Sequence, residues 1–361
     1  MANPLDGLTV VDLGTPTPGK YATFLLADLG ASVVRVERPG SREEPVSDED
    51  RVLNRGKRSI GLDLRRPAGQ EVLHRLVVGV DVLIESYRPG VTERLGADWT
   101  TLSRINPRLV YCSLSGFGQT GPDRSLPAYD LNFAALSGLL SALCGGDQPP
   151  RVPDAYVADG VSGLVATIAV AVALLERERN GAGRWLDLAM LDSAFALLGV
   201  FHGLGPRAAG GAHGAAGASP LYSVYACADG RYVAVAAIRP ASTELLCDEL
   251  GRPELAAKAR AGEGEAVAAG LAAAFATAPA AEWVERLRAK AIEIAAVNRP
   301  DEAFSDPQLV DRGLQLLGAR GDPALQLVAA LFQRAVAGRE KARLAQRHTE
   351  LMGERSQQQR E

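Results

Sequence analysis

The stretch LTVVDLGTPTPGKYATFLLADLGASVVRVERPG, residues 8–40, decides the fold. LTVVDLG (Leu8–Gly14) is a short apolar run ended by glycine, the pattern of a strand buried on both faces of a parallel sheet. Pro18 and Gly19 then open a helix that Gly30 closes, since proline suits a first turn and glycine a helix end. ASVVRVERPG follows as a second strand through Val33, Val34 and Val36. Strand, helix and strand in 33 residues make one β-α-β unit, which implies a right-handed crossover in a parallel sheet.

The alternation continues outward. A helix is predicted over Pro67–Val78, a strand over Asp81–Ser86, a helix around Trp99–Ile105 and a strand over Leu109–Gly116. The period becomes helical over Tyr129–Leu143 and Gly160–Arg179, and Trp185–Leu191 reads as a strand leading into a helix. The expected large domain is therefore α/β, with a doubly wound parallel sheet over residues 1–200. GLGPRAAGGAHGAAG (Gly203–Gly217) carries too little side-chain bulk to bury a core, so 201–218 reads as a Gly/Ala-rich linker or mobile loop. Two β-rich runs flank ADG in LYSVYACADGRYVAVAAI, a hairpin signal that begins a smaller α+β domain over 219–313. Its helices are predicted at Ala241–Leu250, Glu265–Ala276 and Ala281–Ala291, Ala-rich and poor in large apolar residues, with FSDPQLVDRG (Phe304–Gly313) as its exit. Residues 314–361 read as a return segment to the large domain and a polar tail that frays.

Composition narrows the function classes. The 361 residues are 47% hydrophobic and 23% charged with a formal net charge of −4, enough for a large core and lacking the basic stripe a nucleic-acid binder needs. Cys112, Cys144, Cys227 and Cys247 show no CxxC spacing, so no zinc or disulfide framework is expected. MANPLDGLTVVDLG lacks the charged and apolar regions of a signal peptide. The apolar run Gly160–Leu175 stops at Glu176, short for a membrane span, and reads as a buried helix. A cytoplasmic protein with no membrane or nucleic-acid partner is the expectation.

The first strand-helix turn reads GTPTPG, not GxGxxG, so a pyrophosphate could not approach the backbone there, although Glu37 could mimic a ribose-binding acid. Arg35, Arg38, Arg51, Arg55, Lys57, Arg58, Arg65, Arg66, Arg88 and Arg94 crowd the N-terminal half, several just after predicted strands, where open α/β folds bind ligands. Each alone is also what a solvated face carries. NRGKRS (54–59), after a disordered-looking acidic stretch, is a candidate phosphate clamp. Asp159, in VADGVSG, precedes a long apolar helix. Such an Asp is most often an N-cap. A positive helix terminus would equally keep it ionised and nucleophilic, while Gly160 and Gly163 would let a bulky substrate approach. Of the four histidines, His213 in the Gly/Ala loop and His348 in the tail are incidental, and none sits in a Ser or Cys elbow that would support a triad.

LLADLGASVVRVERPG, NRGKRSIGLDLRRPAG, DVLIESYRPGVTERLG, NPRLVYCSLSGFGQTGP and GAGRWLDLAMLDS resemble, in this order, segments of the class III CoA-transferases, a family that includes formyl-CoA and carnitine CoA-transferases and 2-methylacyl-CoA racemases. The likeness runs from about Leu5 to Ser193, resumes in SPLYSVYACADGRYVAV and fades after Leu250. It implies an interlocked homodimer with coenzyme A bound between the large domain of one chain and the small domain of the other. It also implies an acyl-CoA and a carboxylic acid as substrates, with no cofactor beyond CoA as thioester. Carried over by position, CoA contacts fall on Arg38, on Leu62, Asp63, Leu64 and Arg65, on Ser86, Tyr87 and Arg88, and on Arg94. Thr17 and Pro18 would lie near the reacting thioester, and Asp159 matches the catalytic aspartate.

The racemase branch resembled here carries His where Tyr129 stands, before the Asp of AYDLN, and Glu where Arg239 stands in AIRP. Racemisation needs an acid and a base on opposite faces of the α-carbon; a phenol is a poor neutral-pH base and a guanidinium is never one. Acyl transfer needs one carboxylate and a cradle for the oxyanion, here ascribed to N–H groups near Gly160, with Tyr129 positioning the acyl group. SPLYSVYACADGRYVAVAAI nonetheless resembles the racemase branch more closely, and AAGGAHGAAG is only a candidate for the transferases' glycine-rich loop. The expected reaction is CoA transfer through an aspartyl-CoA thioester, with a 2-methylacyl-CoA racemase or isomerase, or a non-catalytic CoA-binding relative, as alternatives.

Overall fold

The structure, a computed structural model, describes residues 3–14, 16–40, 46–144, 149–202, 219–303 and 305–311. Linker 201–218 and segment 314–361 lie, almost wholly and wholly respectively, outside these residues. The described chain divides into two compact units: residues of Met1–Ser141 and Pro150–Phe201, and residues of Ala142–Pro149 and His202–Arg312.

The first unit is built on β1 (Thr9–Leu13), β2 (Ser32–Glu37), β3 (Arg58–Gly61), β4 (Val82–Glu85), β5 (Val110–Ser115) and β6 (Arg184–Ala189). They pair in the order β3-β2-β1-β4-β5-β6, every neighbour parallel. Alternate side chains on the central strands feed two cores. Val10, Val33, Val82, Ile84, Val110 and Cys112 pack on one face. Val11, Leu13, Leu83 and Tyr111 pack on the other. A sheet buried on both sides needs strands without a polar face, and β4 and β5 are buried at every position.

Helices α1 (Thr17–Asp28), α6 (Asp130–Leu136) and α8 (Val157–Asn180) supply Leu26, Phe133 and Val170 to the first core. From α3 (Pro67–Val77) and α5 (Trp99–Ile105), Leu73, Val77 and Leu102 enter the second. Gly30 at φ +104° ends α1, a left-handed conformation that side chains resist. Between these elements lie α2 (Asp48–Leu53), α4 (Val91–Arg94) and α7 (Leu139–Leu143), with α9 (Met190–His202) after β6.

Three expectations are corrected. The acidic stretch before NRGKRS is not shapeless: Ser47 accepts the Asp50 N–H and caps α2. Within NRGKRSIGLDLR, Arg58–Gly61 adds the edge strand β3, too short for its pattern to stand out. The helix predicted over Gly160–Arg179 runs Val157–Asn180, and its apolar part is not short for a membrane span. At 24 residues, α8 passes the length and hydropathy test for a membrane crossing. Only one face is buried, with Ala166 and Val170 fully enclosed, while Leu164, Ile168, Val172 and Leu175 are exposed.

In the second unit, β7 (Tyr222–Ala226), β8 (Tyr232–Ala236) and β9 (Ile294–Ala296) form an antiparallel sheet, the β7–β8 hairpin falling where ADG placed it. Helices α10 (Pro240–Glu249), α12 (Gly264–Phe275) and α13 (Ala280–Arg288) match those predicted, and α11 (Glu254–Arg260) is additional. Two short helices follow, α14 (Pro300–Ala303) and α15 (Pro307–Asp311). The Ala-rich helices do have a core. Tyr225 stacks on Phe275 at 5.2 Å, Trp283 meets Phe275 edge-on at 5.5 Å, and the Trp283 indole donates to the Phe275 carbonyl at 3.0 Å.

Candidate active site

The C-terminal ends of β1, β2, β3 and β4 lie along one sheet edge, and Arg38, Leu62–Arg65 and Ser86–Arg88 follow directly from them, with Arg94 in α4. The strand order reverses between β1 and β4, the crevice where open α/β sheets take ligands. There the chain is drawn close. A Cβ on Gly19 would lie 2.3 Å from Ser86 Oγ and 3.3 Å from the Gly14 Cα, so the β1–α1 turn tolerates only glycine against the end of β4. Ser86 Oγ is buried with no hydrogen-bond partner.

Under this turn Asp12, fully buried, accepts from the Gly14 N–H at 2.8 Å, Thr23 Oγ1 at 2.7 Å and Lys57 Nζ at 3.0 Å. Lys57 also donates to the Lys20 carbonyl and Thr23 Oγ1, at 3.0 and 2.7 Å, and its side chain is 1% exposed. Burial lowers its pKa against the pull of Asp12. Arg55 pairs with Asp28 at 2.9 Å and lies over the Phe24 ring, and Arg58 donates to Ser32 Oγ. Arg55 and Lys57 thus hold the loop before β3 to α1 and β1, and the exposed Arg58 reaches Ser32 of β2, so the three cations do not converge as a phosphate clamp.

The predicted contact residues differ in how free they are. Arg38, Arg88 and Arg94 are exposed. Arg65 is tied to Asp63 by two hydrogen bonds at 2.9 and 3.2 Å, and Leu64 is buried in the second core, so its side chain is taken from any ligand. Tyr87 is half-buried, with its phenol pKa raised mainly by burial. Its backbone N–H donates to Glu85 Oε2 at 2.8 Å. Glu85, 2% exposed, has its pKa raised by burial to about 7. The sequence reading passed over it; an acid inside the apolar run DVLIES was the available signal.

Asp159 sits in the first turn of α8, two residues after its first residue Val157. Tyr156, not Asp159, occupies the capping position, so the N-cap reading fails. The Asp159 N–H donates to Asp130 Oδ1 at 2.9 Å, which joins the N-terminus of α8 to that of α6. Tyr129, next to Asp130, is 82% exposed. Instead of being held strongly acidic by the helix terminus, the Asp159 carboxyl is pushed up to about 6, first by burial, then by the charges of Asp130 and Glu49. The N–H groups ascribed to the oxyanion are engaged, that of Gly160 with the Tyr156 carbonyl at 3.0 Å and that of Asp159 with Asp130. Gly163 does not admit substrate either; a Cβ there would lie 2.7 Å from the Tyr21 ring and 3.1 Å from the Pro18 carbonyl, so it lets α8 pack on α1. Gly160 faces open space.

A cleft of about 470 Å³ is lined by Thr17 and Tyr21 of α1, Asp48, Glu49, Val52 and Leu53 of α2, and Tyr156 and Gly160; Gly160 follows Asp159 in the chain, and Asp159 itself is not in the lining. Thr17 lines it, with its hydroxyl given to Glu49 Oε1 at 2.6 Å. In the second unit, Arg239 forms an ion pair with Glu293, whose Oε1 also accepts from Ser242 at 3.3 Å.

The family model described as CoA-transferase family III matches residues 5–342. The chain is 42% identical to the alpha-methylacyl-CoA racemase of Homo sapiens over 68% of its own length and 65% of the racemase, so it spans about two thirds of that relative. It is 34% identical to the acetyl-CoA:oxalate CoA-transferase of Acetobacter aceti over 86% of its length and 85% of the relative. The crystal structure of a CAIB/BAIF family protein from Brucella suis superposes with a TM-score of 0.75 at 28% identity, covering 93% of this chain and 100% of the other.

Proposed function

The chain belongs to CoA-transferase family III, and from that premise we propose that it moves coenzyme A from an acyl-CoA thioester to a carboxylic acid, with Asp159 as the carrier. One observation carries the reading: a carboxylate in the first turn of α8, next in the chain to the cleft-lining Gly160, with no cation paired to it among the described residues. With its pKa at about 6 it is mostly ionised at neutral pH and more basic than an ordinary aspartate, which suits a nucleophile.

Asp159 attacks the thioester carbon and CoA leaves as thiolate, giving an aspartyl-acyl anhydride. The thiolate attacks the aspartyl carbonyl, which forms enzyme-CoA thioester and frees the first acid as carboxylate. A second carboxylate takes CoA by the same steps in reverse. Because the N–H groups at Asp159 and Gly160 are engaged, oxyanion donors are ascribed to the first turn of α1, where helix geometry leaves N–H groups without intrahelical partners. The exposed Arg38, Arg88 and Arg94 suit the phosphates of CoA, and Tyr129 suits a positioning role. We place the reaction in the cytoplasm and assign the chain to a homodimer; the exposed stripe Leu164, Ile168, Val172 and Leu175 supports association.

A second reading, α-proton isomerisation of a 2-methylacyl-CoA, is favoured by the raised Asp159 pKa, which also suits a general base, and by the likeness to the racemase. Two measurements separate them. Transfer predicts a hydroxylamine-sensitive adduct at Asp159 with acyl-CoA and no deuterium uptake at the α-carbon in deuterated water. Uptake without an adduct would replace transfer by isomerisation.

A further inference from the structure

Helix α2 forms one wall of the cleft at Gly160 and is fastened to α1 by polar contacts. Glu49 accepts the Thr17 hydroxyl at 2.6 Å and Asp50 binds Lys20 at 2.7 Å. The cleft surface is almost wholly apolar, from Tyr21, Val52, Leu53 and Tyr156; Glu49 borders it with its carboxylate held by Thr17, and the Asp48 carboxylate is turned to solvent. Among the described lining residues there is no Lys or Arg; Lys20, on the same helix as Thr17, is held by Asp50 with its side chain 13% exposed.

We infer that this cleft selects acyl groups without a second carboxylate, taking apolar monocarboxylic acyl chains and turning away dicarboxylic ones. The inference rests on Asp159 being the reacting carboxylate. In a bound thioester the acyl carbonyl lies at Asp159, and the rest of the acyl chain must enter the space beside Tyr156 and Gly160. An apolar chain gains by covering Val52, Leu53 and the tyrosine rings. A dicarboxylic chain would bring a second anion beside Glu49, where it loses water, finds no cation among the described lining residues and meets a like charge. The carboxylate that reacts is common to both substrate classes and cancels in the comparison. Selectivity then comes from a repulsive element as much as an attractive one.

The test uses the full chain and two thioesters of similar size, isobutyryl-CoA and succinyl-CoA. The rate of hydroxylamine-trapped adduct formation at Asp159 is measured for each. Isobutyryl-CoA is expected to react at least ~100-fold faster, and a combined Asp48→Asn, Glu49→Gln variant to narrow that ratio about 10-fold. The glutamine keeps an acceptor for Thr17, so the ratio reads charge and not loss of the strap. Adducts forming equally fast from both thioesters, or a ratio the variant does not move, would overturn the selectivity alone. Absence of any adduct from either thioester would overturn the transfer reading and this inference with it.

Discussion

Asp12 and Asp159 are both aspartates drawn out of water in the same α/β unit, and their surroundings are opposite. Asp12 is fully buried and meets donors only: a backbone N–H, a hydroxyl and the Lys57 ammonium. Asp159 is half-buried, and the neighbours that act on its charge are two further acids, Asp130 and Glu49. A buried charge whose hydrogen-bonding capacity is filled rigidifies the β1–α1 turn and is inert. One left among like charges stores unfavourable energy that a reaction can release. On the proposed reading, reactive character is set by what is missing around a carboxylate, not by the residue type.

The sharpest test of this contrast is Asp159→Ala, which should lower acyl transfer by about 10³-fold or more while CoA binding stays within a few-fold. Steady-state kinetics and calorimetric CoA titration check it, and retained turnover would erase the distinction between the two aspartates. Next in size, Lys57→Met should strip Asp12 of its counter-charge and destabilise the fold by roughly 3–5 kcal/mol, read in urea unfolding. Gly163→Ala should cost about 1–3 kcal/mol by pushing α8 off Pro18 and Tyr21. Asp159→Asn should instead stabilise. Its folded pKa of about 6 lies above the ordinary aspartate value, so the native state loses stability as pH rises from about 4 to 6 and carries the full penalty above that. Relief of that penalty is worth roughly 1–2 kcal/mol at pH 7.5 after solvent screening, seen as a raised Tm. The smallest effect concerns the rate profile. Turnover should rise with pH through about 6 as Asp159 ionises, and Glu49→Gln should move that midpoint slightly downward because it removes a like charge.

The central strands and most helices were legible because each is decided by neighbours in the chain. The runs at Leu8–Gly14 and Asp81–Ser86 are apolar throughout, and Pro18 and Gly30 bracket α1 in the way helix termini require. Elements that lean on other elements were not. The edge strand β3 exists because β2 pairs with it, and α2 because Thr17 and Lys20 receive its acids. The candidate site divides the same way. Asp159 was legible through the family resemblance, as was Thr17. Glu49 and Asp130, which with burial shape the titration of Asp159, were not singled out, since each acts from 29 or more residues away in the chain, and neither was Glu85 on its buried strand end.

From sequence alone came the doubly wound α/β class, the hairpin of the second unit and the carboxylate to watch, all of which follow from hydrophobic period, turn residues and motif order. The tertiary structure decided the rest: that Arg55 and Lys57 are bound up in ion pairs, that Gly163 serves helix packing, and that Asp159 lies among acids. The physical reason is range. Secondary structure is set by contacts within a few residues, whereas a carboxylate's pKa and accessibility depend on charges and walls that distant segments bring to within a few ångströms.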